Sequence, residues 1–246
     1  MAVKSAIIKG TPYLSAVGVN AGESLGNTSK LTYTVTTEEK ELPDFQNPGG
    51  GLDDAFDRFK SATVALSCRH VSVKTLELAL GGTATAVLAG AVVDEVHNVV
   101  GLDKLIMLDN LPDLAVAPIV KAGTGSTVYV KDIDYTVKRV GIIPLSTGAI
   151  VAAADLKISY TKIKAQRVQA LVNMIQENRL VFDGINERSN APWAAVMHRV
   201  KFGPAKSVEL IGDDFISFDI EGKLLAYDAI TAVGKSQYME MLVGSL

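Results

Sequence analysis

The segment Thr28 to Thr37 reads Thr-Ser-Lys-Leu-Thr-Tyr-Thr-Val-Thr-Thr, and its alternation constrains the fold more than any other feature of the chain. Leu31, Tyr33 and Val35 alternate with Thr32, Thr34 and Thr36. That gives one apolar and one polar face at the strand period of two. Similar short runs of Val, Ile, Thr and Tyr recur between Gly, Pro, Asn and Asp along the sequence, the texture of an all-β protein. The charged stretch Glu38 to Glu41 is expected to be a solvated strand end.

Beyond it, Pro43, Asp44, Phe45, Asn47, Pro48, Gly49, Gly50, Gly51, Asp53 and Asp54 belong to one proline- and glycine-punctuated stretch. It is expected to be a long linker, of the kind that is functional or mobile in compact domains. Ser61 to Cys68 is a further strand, followed by one short helix. Ser72 is its candidate N-cap, Leu76, Ala79 and Leu80 share its apolar face, and Gly81 and Gly82 end it.

Between Gly101 and Lys162 the strands shorten and helix signals vanish. Leu105–Leu108, Thr127–Val130, Tyr135–Val137 and Leu156–Tyr160 suggest a small β domain spanning 101–162, inserted between 1–100 and 163–246. The segment Gln166 to Glu177 fits a helix face and a strand face equally well. Val196 to Phe202, Ser207 to Ile211, Phe215 to Ile220 and Lys223 to Tyr227 alternate again.

The chemistry-bearing residues do not assemble into a motif. His70, His97 and His198 are far apart, and Cys68 is the only cysteine, so no metal-ligand spacing and no internal disulfide is expected. Gly49-Gly50-Gly51 lacks the Lys-Ser/Thr of a phosphate loop, and Gly123-Thr-Gly lacks the third glycine of a dinucleotide fingerprint. Asp53-Asp54 and Asp213-Asp214 are adjacent acids that a strand would point to opposite faces. No catalytic residue, cofactor or metal is expected. A net charge of −3 argues against a protein built to grip nucleic acid. The absence of an apolar run of roughly 18 residues argues against a membrane helix. The N-terminal segment, interrupted by Lys9 and Gly10, does not read as a secretory signal, so a cytoplasmic site of synthesis is expected.

Taken in order, several segments resemble the tail tube proteins of long-tailed, siphovirus-type bacteriophages. These are Gly26-Asn27, the strand Thr32 to Glu39, the loop Pro48 to Asp54, Ser61 to Cys68 and Leu76 to Gly81. Arg179 to Asn186 and Val200 to Phe215 continue the likeness. The inserted segment resembles one found in many such proteins through Asp134-Tyr-Thr-Val and Val151 to Tyr160. It departs from them at Lys138-Arg-Val-Gly-Ile-Ile-Pro, where a glycine-rich hairpin is usual.

The resemblance implies a mainly β fold: a tail-tube β-sandwich or barrel with a short flanking helix and a small inserted Ig-like β-sandwich. It favours strands over a helix in the Gln166 region. It also implies a structural virion protein assembled in the bacterial cytoplasm, whose rings, commonly hexameric, stack into the conduit for the genome. Its partners would be other copies of itself, a tape-measure protein, a tail-tip or baseplate initiator and a terminator, with phage DNA passing through the lumen. The tube of a contractile tail or secretion system, an adhesion or carbohydrate-binding module and, third, an enzyme are the competing readings. The stretch from Pro43 to Asp54 is the candidate inter-subunit loop.

Overall fold

The computed structural model describes residues 5–244 and is mainly β, with several antiparallel sheets and one short helix among the described residues. The chain divides into two compact units. One combines the chain up to Ala84 with the chain from Val168 on, and the other is Thr85–Arg167.

The larger unit begins with β1 (Ile8–Ala16), β2 (Glu23–Ser24), β3 (Thr28–Pro43), β4 (Leu52–Cys68) and the helix α1 (Val73–Leu80). Strand β5 (Thr83–Val87) leads into the smaller unit. That unit holds β6 (Gly90–Asn98), β7 (Ile106–Met107), β8 (Ile119–Ala122), β9 (Val128–Tyr129), β10 (Tyr135–Lys138), β11 (Gly141–Pro144) and β12 (Asp155–Lys162). The chain returns through β13 (Ala165–Gln169), which pairs with β5. It ends with β14 (Gln176–Asn186), β15 (Ala191–Phe202), β16 (Phe218–Leu224) and β17 (Met239–Val243).

One sheet organises the larger unit, in the order β2-β1-β14-β15-β16-β4-β3, with β17 joined to the outer half of β15. The core face follows from period two. Ala62, Val64, Leu66 and Cys68 of β4 are buried, as are Phe218, Ile220 and Leu224 of β16, while Asp219, Glu221 and Lys223 between them are exposed. Gly222 completes that buried row because a Cβ there would stand 2.7 Å from Val200 and 2.8 Å from the Phe202 ring. Cys68 is fully buried, and burial pushes its thiol pKa up, which makes it a small core hydrophobe.

Helix α1 closes this core. The Ser72 hydroxyl accepts the Thr75 N–H at 3.1 Å and the Thr75 hydroxyl accepts the Ser72 N–H at 2.8 Å, a reciprocal N-cap. Gly81 ends the helix in the left-handed region at φ 56°, where glycine carries no Cβ penalty. Leu78 and Ala79 pack into the cluster formed by Leu25, Leu66 and Phe218. No helix is long and apolar enough to cross a membrane among the described residues.

Several expectations are corrected here. Strand β3 does not end at Thr37: it runs through the charges Glu38–Glu41 to Pro43, because β4 continues opposite it. Ser207–Ile211 forms no strand, although its residues alternate. The segment joins no ladder, not even along Phe218–Glu221 of β16, which β15 leaves uncovered, and Leu210 and Ile211 are exposed. For the same segment end, β16 starts at Phe218 rather than Phe215 and stops at Leu224. Around Gln166 the chain forms two strands, β13 and β14, joined by a turn.

In the smaller unit, a three-stranded sheet (β10-β11-β7) and a four-stranded sheet (β6-β12-β8-β9) surround a second core of Val99, Leu108, Val120, Tyr135, Ile142, Ile150, Leu156, Ile158 and Tyr160. Arg139-Val140 makes the turn between β10 and β11, and Gly141 after it lets β7 approach, since a Cβ there would lie 1.9 Å from the Ile106 carbonyl oxygen. Asp134 ties the unit together by accepting the N–H groups of Val130 and Ala149, both at 2.7 Å. A second knot is Glu95, whose carboxylate accepts the Tyr160 hydroxyl at 2.6 Å, the Asp109 N–H at 2.9 Å and His97 Nε2 at 2.5 Å. Burial pushes the Glu95 carboxyl up, but the hydrogen bonds outweigh it and leave its pKa below the ordinary value.

Two predictions follow from these knots. Ser72→Ala removes the N-cap and should cost the larger unit about 1 kcal/mol, read by denaturant unfolding of Trp193 fluorescence; an unchanged midpoint would count against the capping role. Because the folded Glu95 pKa is depressed, its stabilisation is present above the unfolded carboxyl pKa and fades as pH falls through the folded value. The protection of β12 amides against hydrogen exchange, relative to their intrinsic rates at each pH, should therefore fall once the pH drops below the ordinary carboxyl range. Glu95→Ala, which orphans three donors at a cost of about 1–3 kcal/mol each, should show weak β12 protection already at neutral pH.

Candidate functional site

The candidate loop is the tip of an arm. Thr63–Cys68 of β4 pair on one side with β3 and on the other with β16, but Leu52–Ala62 pair with β3 alone. The stretch from Val35 to Pro43 and its partner therefore leave the sheet as a two-stranded ribbon. At about 3.4 Å per residue it projects roughly 30 Å.

Of the candidate residues, Pro43, Asp53 and Asp54 lie in the ribbon and not in a linker: Pro43 stands opposite Leu52 and Asp54 opposite Leu42. The remaining ones, Asp44, Phe45, Asn47, Pro48, Gly49, Gly50 and Gly51, form the tip. It is hydrogen-bonded where a flexible linker was expected. Asp44 Oδ1 accepts the N–H groups of Gln46 at 2.7 Å and Asn47 at 3.2 Å, Asp44 N–H donates to the Gly51 carbonyl at 2.9 Å, and Gly50 N–H donates to the Asn47 carbonyl at 3.2 Å. The Asn47 side chain, followed by the two backbone N–H groups, holds the Asp44 carboxyl below its usual range. Gly49, Gly50 and Gly51 all have positive φ, at 129°, 67° and 144°, with open space where a Cβ would stand. Backbone conformation, not crowding, selects glycine there.

Cross-strand partners share a face of a ribbon. One face carries Glu38 opposite Arg58, Lys40 opposite Phe56 and Leu42 opposite Asp54; the other carries Thr37 opposite Phe59, Glu39 opposite Asp57 and Glu41 opposite Ala55. The first face has one cross-strand pair of opposite charges, and Lys40 also bridges Glu38 along β3 at 2.5 Å. The second sets two carboxylates directly against each other, which opposes pairing. From Glu38 to Lys60, seven acids stand against three bases, so this segment carries −4 where the whole chain carries −3. Apolar side chains accompany the charge: Phe45 is 85% exposed, Phe56 60%, Leu52 55% and Leu42 49%. Phe59, nearer the root, packs on Tyr238 with ring centroids 5.0 Å apart.

An isolated two-stranded ribbon is marginal in water, and one with exposed aromatics and opposed carboxylates more so. Such a structure gains from a partner. Sequence reasoning located the tip but missed the ribbon, because Glu38–Glu41 and Leu52–Phe59 lack a buried face to reveal the strand period.

The arm leaves from an end of the sheet that is itself open. Among the described residues no strand pairs along the outer side of β3, and at the other end β2 covers β1 only at Tyr13 and Leu14. The sheet's polar face is lined with Thr32, Thr34, Thr36, Ser61 and Thr63, and one row across it reads Glu177, Lys201, Lys223, Thr63, Thr34. Arg199 is held by Glu177 at 2.9 Å and Lys206 by Glu221 at 2.8 Å. Among the described residues no three His, Cys, Asp or Glu side chains converge to hold a metal ion. His198 is buried, stacked 6.5 Å from Tyr227, and burial lowers its pKa.

Asp44→Ala should free the Gln46 and Asn47 amides, so that their hydrogen exchange quickens while the Trp193 unfolding midpoint stays put; a lowered midpoint would show that the tip is coupled to the core instead. Compared with known proteins, residues 5–242 match the model of a family described as Protein of unknown function UCP028589. No curated protein matches the chain.

Proposed function

The chain belongs to that family, and for it we propose a structural role: a subunit that polymerises through its open sheet edges and its arm into a hollow tube, the tail tube of a long-tailed bacteriophage. The observation that carries this reading is a sheet open at both ends whose end strand runs out into a projecting ribbon. Unpaired edges are an aggregation hazard in a finished monomer and joining surfaces in a polymer. In this reading the β3 edge of one copy continues onto the β1 edge of the next, closing a ring by heterologous contacts, while the arm reaches along the axis.

The resemblance at Thr32–Glu39, Pro48–Asp54 and Val200–Phe215 supplies the phage context. The tail-tube and Ig-like assignments of the two units, and the partners (tape-measure protein, initiator, terminator, and DNA in transit), belong to the same proposal. The threonine-lined face suits a wet lumen: its row sets Lys201 beside Lys223 between Glu177 on one side and Thr63 and Thr34 on the other, too short a run of positive charge to hold a passing phosphate backbone.

Purified protein, concentrated and viewed by negative-stain electron microscopy with and without tail-tip components, should give hollow rings or tubes of uniform width. Deleting Gly49–Gly51 should abolish tube growth and leave Trp193 fluorescence unchanged. Monodisperse monomer under every condition, or tubes that ignore the deletion, would refute the assembly reading or the arm's part in it, respectively.

A further inference from the structure

The larger unit holds an acceptor for the arm. Beyond the closed core, the rows of β1, β14, β15 and β17 continue into an open groove of about 520 Å³, floored by Phe182, Trp193, Met197 and Met241 and walled by Leu31 and Tyr33 at the root of β3. Gly10 lies in its floor opposite Gly184. A Cβ on Gly10 would stand 2.2 Å from the Asp183 carbonyl oxygen and 2.5 Å from the Gly184 Cα, so glycine lets β1 and β14 approach closely here. Methionines beside aromatic rings make an adaptable apolar surface. The lining contains no carboxylate, and its charges are Lys9 and Lys30. Lys9 bridges Glu187 at 2.7 Å in an exposed pair that solvent and salt readily exchange.

We infer that this groove receives the arm tip of a second copy of the chain, seating Phe45 with Leu42 and Leu52. The inference rests on the polymer reading above and names its axial contact. Three observations select this occupant. The tip presents exposed apolar side chains within a segment of charge −4, complementary to an apolar groove whose only charges are lysines. A groove of this volume is of the size that takes a small cluster of apolar side chains. Third, tip and groove sit at opposite ends of the same strand: from Tyr33 to Pro43 is roughly 35 Å along β3. A tip held that far from its own groove by a continuous ladder reaches only the groove of another copy. A donor at one end and an acceptor at the other repeat head to tail without closing, which is how a filament grows.

The test uses the full chain, in which buried Cys68 does not compete for oxidation. Phe45→Cys and Met241→Cys, both at exposed positions, are purified separately, checked by Trp193 fluorescence, mixed and oxidised. Phe215→Cys is the control, equally apolar and 87% exposed on a loop at the root end of β3. The mixture should yield a covalent dimer containing one chain of each kind, the chain carrying both substitutions should yield a ladder, and Lys30→Glu should lower the yield several-fold. The control mixture should give neither. Tubes without the 45–241 cross-link, or a cross-link through position 215 instead, overturn the seating and leave the tube reading standing. The cross-link without tubes supports the seating and removes the tube reading. Absence of both overturns the two together.

Discussion

The β3–β4 ladder is the interaction on which the rest of the larger unit depends. From Thr28 opposite Cys68 to Thr34 opposite Thr63 it is the end of a sheet, with Val64, Leu66 and Cys68 buried in the core and threonines on the far side. From Val35 opposite Ala62 onward the same ladder has no third strand, and beyond buried Ala62 the core ends. One continuous set of backbone hydrogen bonds thus anchors the projecting arm in the best-packed part of the molecule. The arm inherits its direction from the core, and its own weak side-chain pairing is tolerated because its root is fixed.

Residues differ along that ladder as the burden changes. The root uses alternation, because one face is buried and a slip of one residue would turn every apolar side chain to water. The arm uses charges and scattered apolar groups, because both faces are wet. Opposed carboxylates at Glu39 and Asp57 weaken an isolated ribbon and discourage ribbon-to-ribbon pairing between copies. They suit a ribbon whose destination is a surface bearing Lys9 and Lys30.

The smaller unit solves a different problem. Apart from β6 and β12 its strands are of two to four residues, so it relies on polar knots within and beside a compact core. Glu95 gathers a tyrosine hydroxyl, a histidine and a backbone N–H, and Asp134 gathers two backbone N–H groups. Each carboxylate fixes a loop whose own hydrogen bonds no ladder satisfies. Glycines at 141 and 148 allow the close approaches this needs, since a Cβ at Gly148 would meet the Asp134 Cα at 2.5 Å.

What the sequence determined by itself were the features whose physics is local. Alternation at Leu31, Tyr33 and Val35 marked a strand, Ser72 and Gly81 bracketed the helix, and the glycines at 49–51 marked a break between strands. Where two local patterns competed, as around Gln166, or where a pattern met no partner, as in Ser207–Ile211, only the tertiary structure decided. A strand exists by virtue of the strand beside it, and a neighbour distant in sequence leaves no trace in local alternation. The same holds for the arm and the groove. Glu38–Glu41 are strand because Leu52–Phe59 lie opposite, and Pro12, Phe182, Trp193 and Met241 form one surface because β1, β14, β15 and β17 are brought side by side. Their conjunction is a property of the sheet order, which no single stretch of the chain contains.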